Sequence, residues 1–179
     1  MTDRTFADLP DDVEATLVSE GPRSEPERLV ARLRELGWTL GVAESLTGGL
    51  VAASVVSVSG ASAVFRGGIV AYATDLKARL LGVDETLLDA HGPVHPRVAR
   101  QMADGVRRAV GEGDAADVGI ATTGIAGPVS SDGQPVGTVH IAVSTPLGSR
   151  VESLLLQGDR DQIRTEAAAR AVALALDAL

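Results

Sequence analysis

Three short apolar runs in this chain end in the same way. WTLGVA (Trp38–Ala43), GGIVAY (Gly67–Tyr72) and VGIATT (Val118–Thr123) each lead into a loop of small polar residues, and two of those loops are rich in glycine. Runs of this length bounded by turn residues predict buried strands. Helical patterns separate them. A capping box, Ser24-Glu25-Pro26-Glu27, opens a helix whose apolar stripe is Leu29, Val30, Leu33 and Leu36, closed by Gly37. Further helices are predicted up to about Val56, over Asp75–Leu81, over Asp84–Ala90, from Pro96 to about Val110, and from Asp159-Arg160-Asp161-Gln162 to the end. Strands alternating with helices require an α/β layer fold. Val136–Ser144 and Arg150–Gln157 predict a hairpin around Pro146-Leu147-Gly148-Ser149, which makes the sheet mixed. The expected architecture is a three-layer α/β/α sandwich with a mixed sheet, in one domain over residues 24–179. Residues 1–23 are acidic and broken by Pro and Gly, and predict a flexible N-terminal extension.

Several function classes are disfavoured by composition. The net charge is −8 and no Lys/Arg run is present, so no nucleic-acid groove is expected. The chain has no cysteine, which removes disulfides, thiolate metal sites and cysteine nucleophiles. The first 20 residues lack the basic and apolar regions of a signal peptide, and apolar runs stop well short of a membrane span. A cytoplasmic protein without membrane contact is the expectation.

In open α/β sheets, ligands collect beyond the carboxyl ends of strands. If the three predicted strands are neighbours, Glu44–Gly49, Tyr72–Thr74 and Thr122–Pro128 share one rim. In the first loop, the N–H groups near Thr47, Gly48 and Gly49 could cradle a phosphate or an oxyanion. The spacing is neither that of a P-loop nor that of a Gly-x-Ser-x-Gly hydrolase turn. The turn could therefore bind an anion, attack a substrate through Ser45, or cap its helix through Ser45 or Thr47.

Of 16 basic residues, 15 are arginine, and the one lysine is Lys77, five residues after the single tyrosine, Tyr72. A neutral lysine can activate a serine where arginine cannot, because arginine does not give up its proton. The alternative is a surface lysine near a helix start. The Tyr72–Lys77 spacing is not that of short-chain dehydrogenases, and no Gly-x-Gly-x-x-Gly follows the first strand, so hydride chemistry fits poorly. His91 and His95 are separated by Gly92 and Pro93 and share no helix face, which disfavours a metal pair, and His140 reads as structural. Arg160 and Arg164 lie one turn apart at the start of the last helix. They could attract phosphate or pair with Asp159, Asp161 or Glu166.

Taken in order, AESLTGG (Ala43–Gly49), GGIVAYATDLKARLLGV (Gly67–Val83), TGIAGP (Thr123–Pro128), PVGTV (Pro135–Val139) and GDRDQIR (Gly158–Arg164) resemble the CinA C-terminal family, the nicotinamide mononucleotide amidases called PncC. The resemblance runs from about Glu27 to the end of the chain. It implies hydrolysis of the carboxamide of nicotinamide mononucleotide to nicotinic acid mononucleotide and ammonia, in pyridine nucleotide recycling. It further implies Ser45 as nucleophile, Lys77 as its general base and Tyr72 as a supporting hydroxyl. Thr123 and Arg160 are the matching pocket residues, and Gly124 beside Thr123 is a further candidate for substrate binding. No metal or cofactor is implied. The expected partners are a small nucleotide substrate and further copies of the chain in a homo-oligomer.

Three departures stand out. Leu46 replaces a common Cys, Val129–Gln134 lacks the usual Gly-Gly, and HGPVHP places His95 where a small hydroxyl is expected. A competing reading keeps the fold and drops the chemistry: a non-catalytic nucleotide-binding module, or an accessory module associated with competence or DNA damage.

Overall fold

Alternation along the central strands gives the sheet one large-residue face and one small-residue face. The computed structural model describes residues 24–130 and 133–179, and the extension expected over 1–23 lies outside them. Its elements are α1 (Glu25–Leu36), β1 (Leu40–Glu44), α2 (Leu50–Val56), β2 (Phe65–Val70), α3 (Thr74–Leu81), α4 (Glu85–His91), α5 (Pro96–Ala109), β3 (Val118–Gly124), β4 (Thr138–Thr145), β5 (Gly148–Leu155) and α6 (Arg160–Asp177). The strands stand in the order β2-β1-β3-β4-β5. Leu40, Val42, Val118, Ile120, Val139, Ile141 and Val143 form the large face, packed against α1, α2 and α6. On the other face, Ala43, Ala121 and Ala142 meet α3, α4 and α5. Gly119 belongs to this small face, and a Cβ there would fall on the carbonyl oxygen of Ala103 in α5. Small residues therefore let α5 press directly on the sheet, and the three layers expected from the sequence follow.

The pairing sets the site. β1 runs parallel to both neighbours, with Glu44 opposite Val70 of β2 and Thr122 of β3. The carboxyl ends of all three strands thus reach one rim. The chain leaves β1 for β2 over the large face, through α2, and returns from β2 to β3 over the small face, through α3–α5. With right-handed crossovers, that reversal opens a crevice beside β1.

β4 and β5 complete the sheet as an antiparallel hairpin. Its turn is shorter than the sequence predicts, because Gly148 already pairs with Thr145 and leaves only Pro146 and Leu147 between the strands. Among the described residues, no helix is long and apolar enough to cross a membrane.

Candidate active site

The two-residue period of β1 sends its last side chain and the next to opposite faces. Glu44 points to the large face. It is 1% exposed, yet each carboxylate oxygen has partners. Oε2 accepts the N–H groups of Gly49 (2.8 Å) and Val51 (3.2 Å), and Oε1 accepts that of Ala52 (2.8 Å). These are donors at the start of α2, whose N-cap, Gly49, has no side chain of its own. Glu44 thus caps α2 from the preceding strand. Neither Ser45 nor Thr47 does so, and the capping alternative for the turn falls away.

Within the turn, the remaining small groups are engaged locally. The Thr47 hydroxyl is buried 2.7 Å from that of Thr122, and the Gly48 N–H donates to the Ser45 carbonyl at 3.2 Å. The N–H groups of Gly48 and Gly49, expected to face an anion, are therefore already taken, and Thr47, Gly48 and Gly49 do not line the cleft described below.

Ser45 points the other way, toward α3. There the Lys77 Nζ lies 3.2 Å from Ser45 Oγ and donates to the carbonyl oxygens of Ala71 (2.7 Å) and Tyr72 (3.4 Å). A long side chain on a helix leans back over the preceding turn, which carries the amine from α3 to the end of β2. Lys77 is 1% exposed, and among the described residues every hydrogen-bond partner is a neutral oxygen. Burial without a counter-charge lowers its pKa from 10.5 to about 8. The one lysine of the chain is thus a buried amine able to lose its proton near neutrality.

The pair opens onto a cleft of about 290 Å³, also lined by Leu46, Tyr72, Thr123, Gly124 and Arg160. Arg160, at the start of α6, donates to the Gly127 carbonyl at 2.9 Å and to the Tyr72 hydroxyl at 3.3 Å. Tyr72 therefore gives its main-chain oxygen to Lys77 and its hydroxyl to Arg160, with the phenol standing at the rim. Thr123 is buried and donates to the Pro93 carbonyl at 2.8 Å, and Gln134 donates to the Val94 carbonyl at 2.8 Å. Both contacts hold the 91–96 loop against the cleft.

The remaining candidates have structural partners. The His91 and His95 rings stack at 4.6 Å, and His95 Nδ1 accepts the Arg97 N–H at 3.2 Å, capping α5. His140 lies 2.9 Å from the Ser153 hydroxyl. Among the described residues, no group of three or more His, Asp or Glu could hold a metal ion. Arg164 does not line the cleft. It donates to the carbonyls of Leu46 (2.9 Å) and Thr47 (3.1 Å), gripping the Ser45 turn from α6. The role of Glu44 went unread in the sequence, although an acid just before a helix that lacks a capping side chain is a usable signal.

This arrangement, a small polar turn with a buried lysine behind it on a mixed α/β sheet, can be set beside known proteins. The CinA C-terminal domain model matches residues 23–179. The chain belongs to the CinA C-terminal domain family. A CinA-like protein of Frankia casuarinae is 54% identical over 136 residues, covering 76% of this chain and 30% of the relative. One from Anaeromyxobacter dehalogenans is 46% identical over 156 residues, covering 87% of this chain and 37% of the relative. This chain thus spans about a third of the length of the curated relatives it matches. Among solved structures, a competence or damage-inducible protein from Enterobacter asburiae superposes with a TM-score of 0.81 at 28% identity, covering 86% of this chain and 95% of that one. CihA from Agrobacterium tumefaciens, a competence/damage inducible protein, superposes with a TM-score of 0.76 at 34% identity, covering 87% and 97%.

Proposed function

We propose that this CinA-family domain is a serine amidohydrolase that deamidates nicotinamide mononucleotide. The observation that carries the reading is the Lys77 amine, buried among neutral oxygens 3.2 Å from Ser45 Oγ. A structural lysine would reach solvent or an acid, whereas a desolvated amine against a serine hydroxyl is the arrangement of a Ser–Lys nucleophile. Neutral Lys77 takes the Ser45 proton as Oγ attacks the carboxamide carbon. The resulting ammonium returns that proton to the departing nitrogen, ammonia leaves, and an ester to Ser45 remains. Water, deprotonated by the same amine, then cleaves the ester to the free acid and restores the serine.

The substrate class follows from the resemblance and is supported by the rim. Among the described residues the Arg160 partners are a carbonyl and a phenol, both uncharged, which suits its guanidinium to a phosphate. Thr123 and Gly124 line the same cleft.

The test is ammonia release from nicotinamide mononucleotide by the wild type, Ser45→Ala and Lys77→Ala. Turnover is expected in the wild type, with a loss of at least about 10³-fold in each variant while the fold is retained. A folded wild type that binds the nucleotide without turnover would leave the nucleotide-binding module as the reading. Turnover surviving in Lys77→Ala would remove the base.

A further inference from the structure

We infer that Arg164 is a positioning residue, holding the Leu46–Thr47 main chain so that the Leu46 N–H serves as the oxyanion donor for attack by Ser45. The chemistry rests on the amidase reading, while the geometry stands independently of it. The Arg164 Nε and Nη2 donate to two successive carbonyls of one turn, those of Leu46 and Thr47. A guanidinium fork ordinarily meets a carboxylate. Among the described residues the acid in contact is Asp161, at 3.4 Å and 89% exposed, so the fork's main engagement is with the turn.

Three observations say what that grip does. A trans peptide points its C=O and the following N–H in opposite directions. Drawing the Thr47 carbonyl toward α6 therefore turns the Gly48 N–H away from α6 and onto the Ser45 carbonyl at 3.2 Å, and the Leu46 N–H, in the same peptide as that Ser45 carbonyl, points the other way. Next, the N–H groups of Ser45, Gly48, Gly49 and Leu50 all have partners, whereas those of Leu46 and Thr47 have none among the described residues. Main-chain donors without a partner in buried residues are rare, and both residues are buried. Finally, Leu46 packs in the large-face core and also lines the cleft, so the residue next to Ser45 borders the space a substrate would occupy. The donor immediately after the nucleophile is thus free, adjacent to Ser45 and braced from behind. Glu44 secures the other end of the turn by occupying the Gly49 N–H.

Arg164→Gln and Arg164→Lys test this, with melting temperatures recorded to establish that each is folded. In Arg164→Gln, kcat for ammonia release is expected to fall about 30- to 1,000-fold with KM changed less than about threefold, since oxyanion stabilisation is felt in the transition state. The pH profile should keep its midpoint. Arg164→Lys, which can reach one carbonyl but not both, should recover part of the loss. Unchanged kcat overturns the assignment, as does a raised KM at constant kcat, which would make Arg164 a substrate ligand.

Labelling by a fluorophosphonate probe provides a second readout. In that step the Ser45 Oγ–P bond forms, the P–F bond breaks, fluoride leaves and the serine proton passes to Lys77. Labelling should slow by at least about tenfold in Arg164→Gln, and an unchanged labelling rate also overturns the assignment. If the wild type labels at Ser45 but releases no ammonia, the amidase reading alone fails, and the variants' labelling rates still decide the role of Arg164.

Discussion

On the large face of the sheet, Glu44 gives its carboxylate to three N–H groups at the start of α2. One residue later and on the small face, Ser45 meets an amine that has only neutral oxygens around it. Both residues are buried, and both belong to the same turn. On the Glu44 side, each charged group has an orphan backbone partner: the acid takes helix N–H groups and Arg164 takes turn carbonyls. On the Ser45 side, the charged form of Lys77 is left poorly solvated. Unfavourable electrostatics of this kind persist only where the surrounding structure over-determines them. The well-satisfied face supplies that constraint, and the reactive face makes use of it.

The sharpest way to break this comparison is to exchange the consequences of mutating the two neighbours. Glu44→Gln keeps the shape but offers one acceptor oxygen, and sets an amide NH₂ against helix donors. It is expected to destabilise the fold by about 2–4 kcal/mol in urea denaturation, from lost charge-assisted bonds and unsatisfied donors. Ser45→Ala leaves Lys77 its two carbonyl partners and is expected to change stability by less than about 1 kcal/mol, while removing activity. Equal stability losses in the two variants would sink the division of labour.

A smaller expected effect concerns pH. The folded pKa of Lys77 is lowered to about 8 from 10.5. Between those values the unfolded chain binds the proton and the folded chain does not, so stability rises with pH through that interval. Below pH 8 both states are protonated and the penalty is constant. The full rise is about 3 kcal/mol. It should appear as a difference between the wild type and Lys77→Met, compared across pH 7–10.5. Identical slopes would mean that the amine is not desolvated. In catalysis the same titration acts with the opposite requirement, since the neutral amine is the active form. The rate constant kcat/KM should climb about tenfold per unit below pH 8 and level off above it.

Much of this site was legible in the sequence because each key residue has a recognisable local setting. Ser45 sits at the end of β1, Lys77 lies one turn into α3 just after β2, and their chemistry follows from residue type alone. That the three strand ends share a rim depended on β2 and β3 both neighbouring β1, a pairing that no segment reveals by itself. Pairing also explains the shifted bounds of β2, which begins at Phe65 because that residue meets Leu40 across an irregularity in register. What escaped was competition for backbone donors. Gly48 and Gly49 have the composition of an anion cradle, but Glu44 and the Ser45 carbonyl reach their N–H groups first. Arg164 reaches Leu46 across 118 positions of sequence, a contact that spacing cannot show.

The smallest expected effect lies on the small face, at the loop that carries His95. His95 caps α5 through Nδ1, which accepts the Arg97 N–H only while unprotonated. Burial lowers its pKa below 6.5, with further contributions from the stacked His91 and from Arg97. His140, from β4, also faces it, and its own pKa is lowered by burial and by His95. Because the folded value is the lower one, the contribution of His95 to stability is present above pH 6.5 and is lost as pH falls through the folded value. His95→Ser supplies a cap that does not titrate. The two proteins should be within about 0.5 kcal/mol of each other at pH 7.5, with the variant more stable by about 1 kcal/mol at pH 5. A difference that does not change with pH would show that the ring's proton plays no part in the cap. A change in the expected direction would place a second group that favours its neutral form on the side of the sheet that holds Lys77, whereas the Glu44 cap on the opposite side depends on charge.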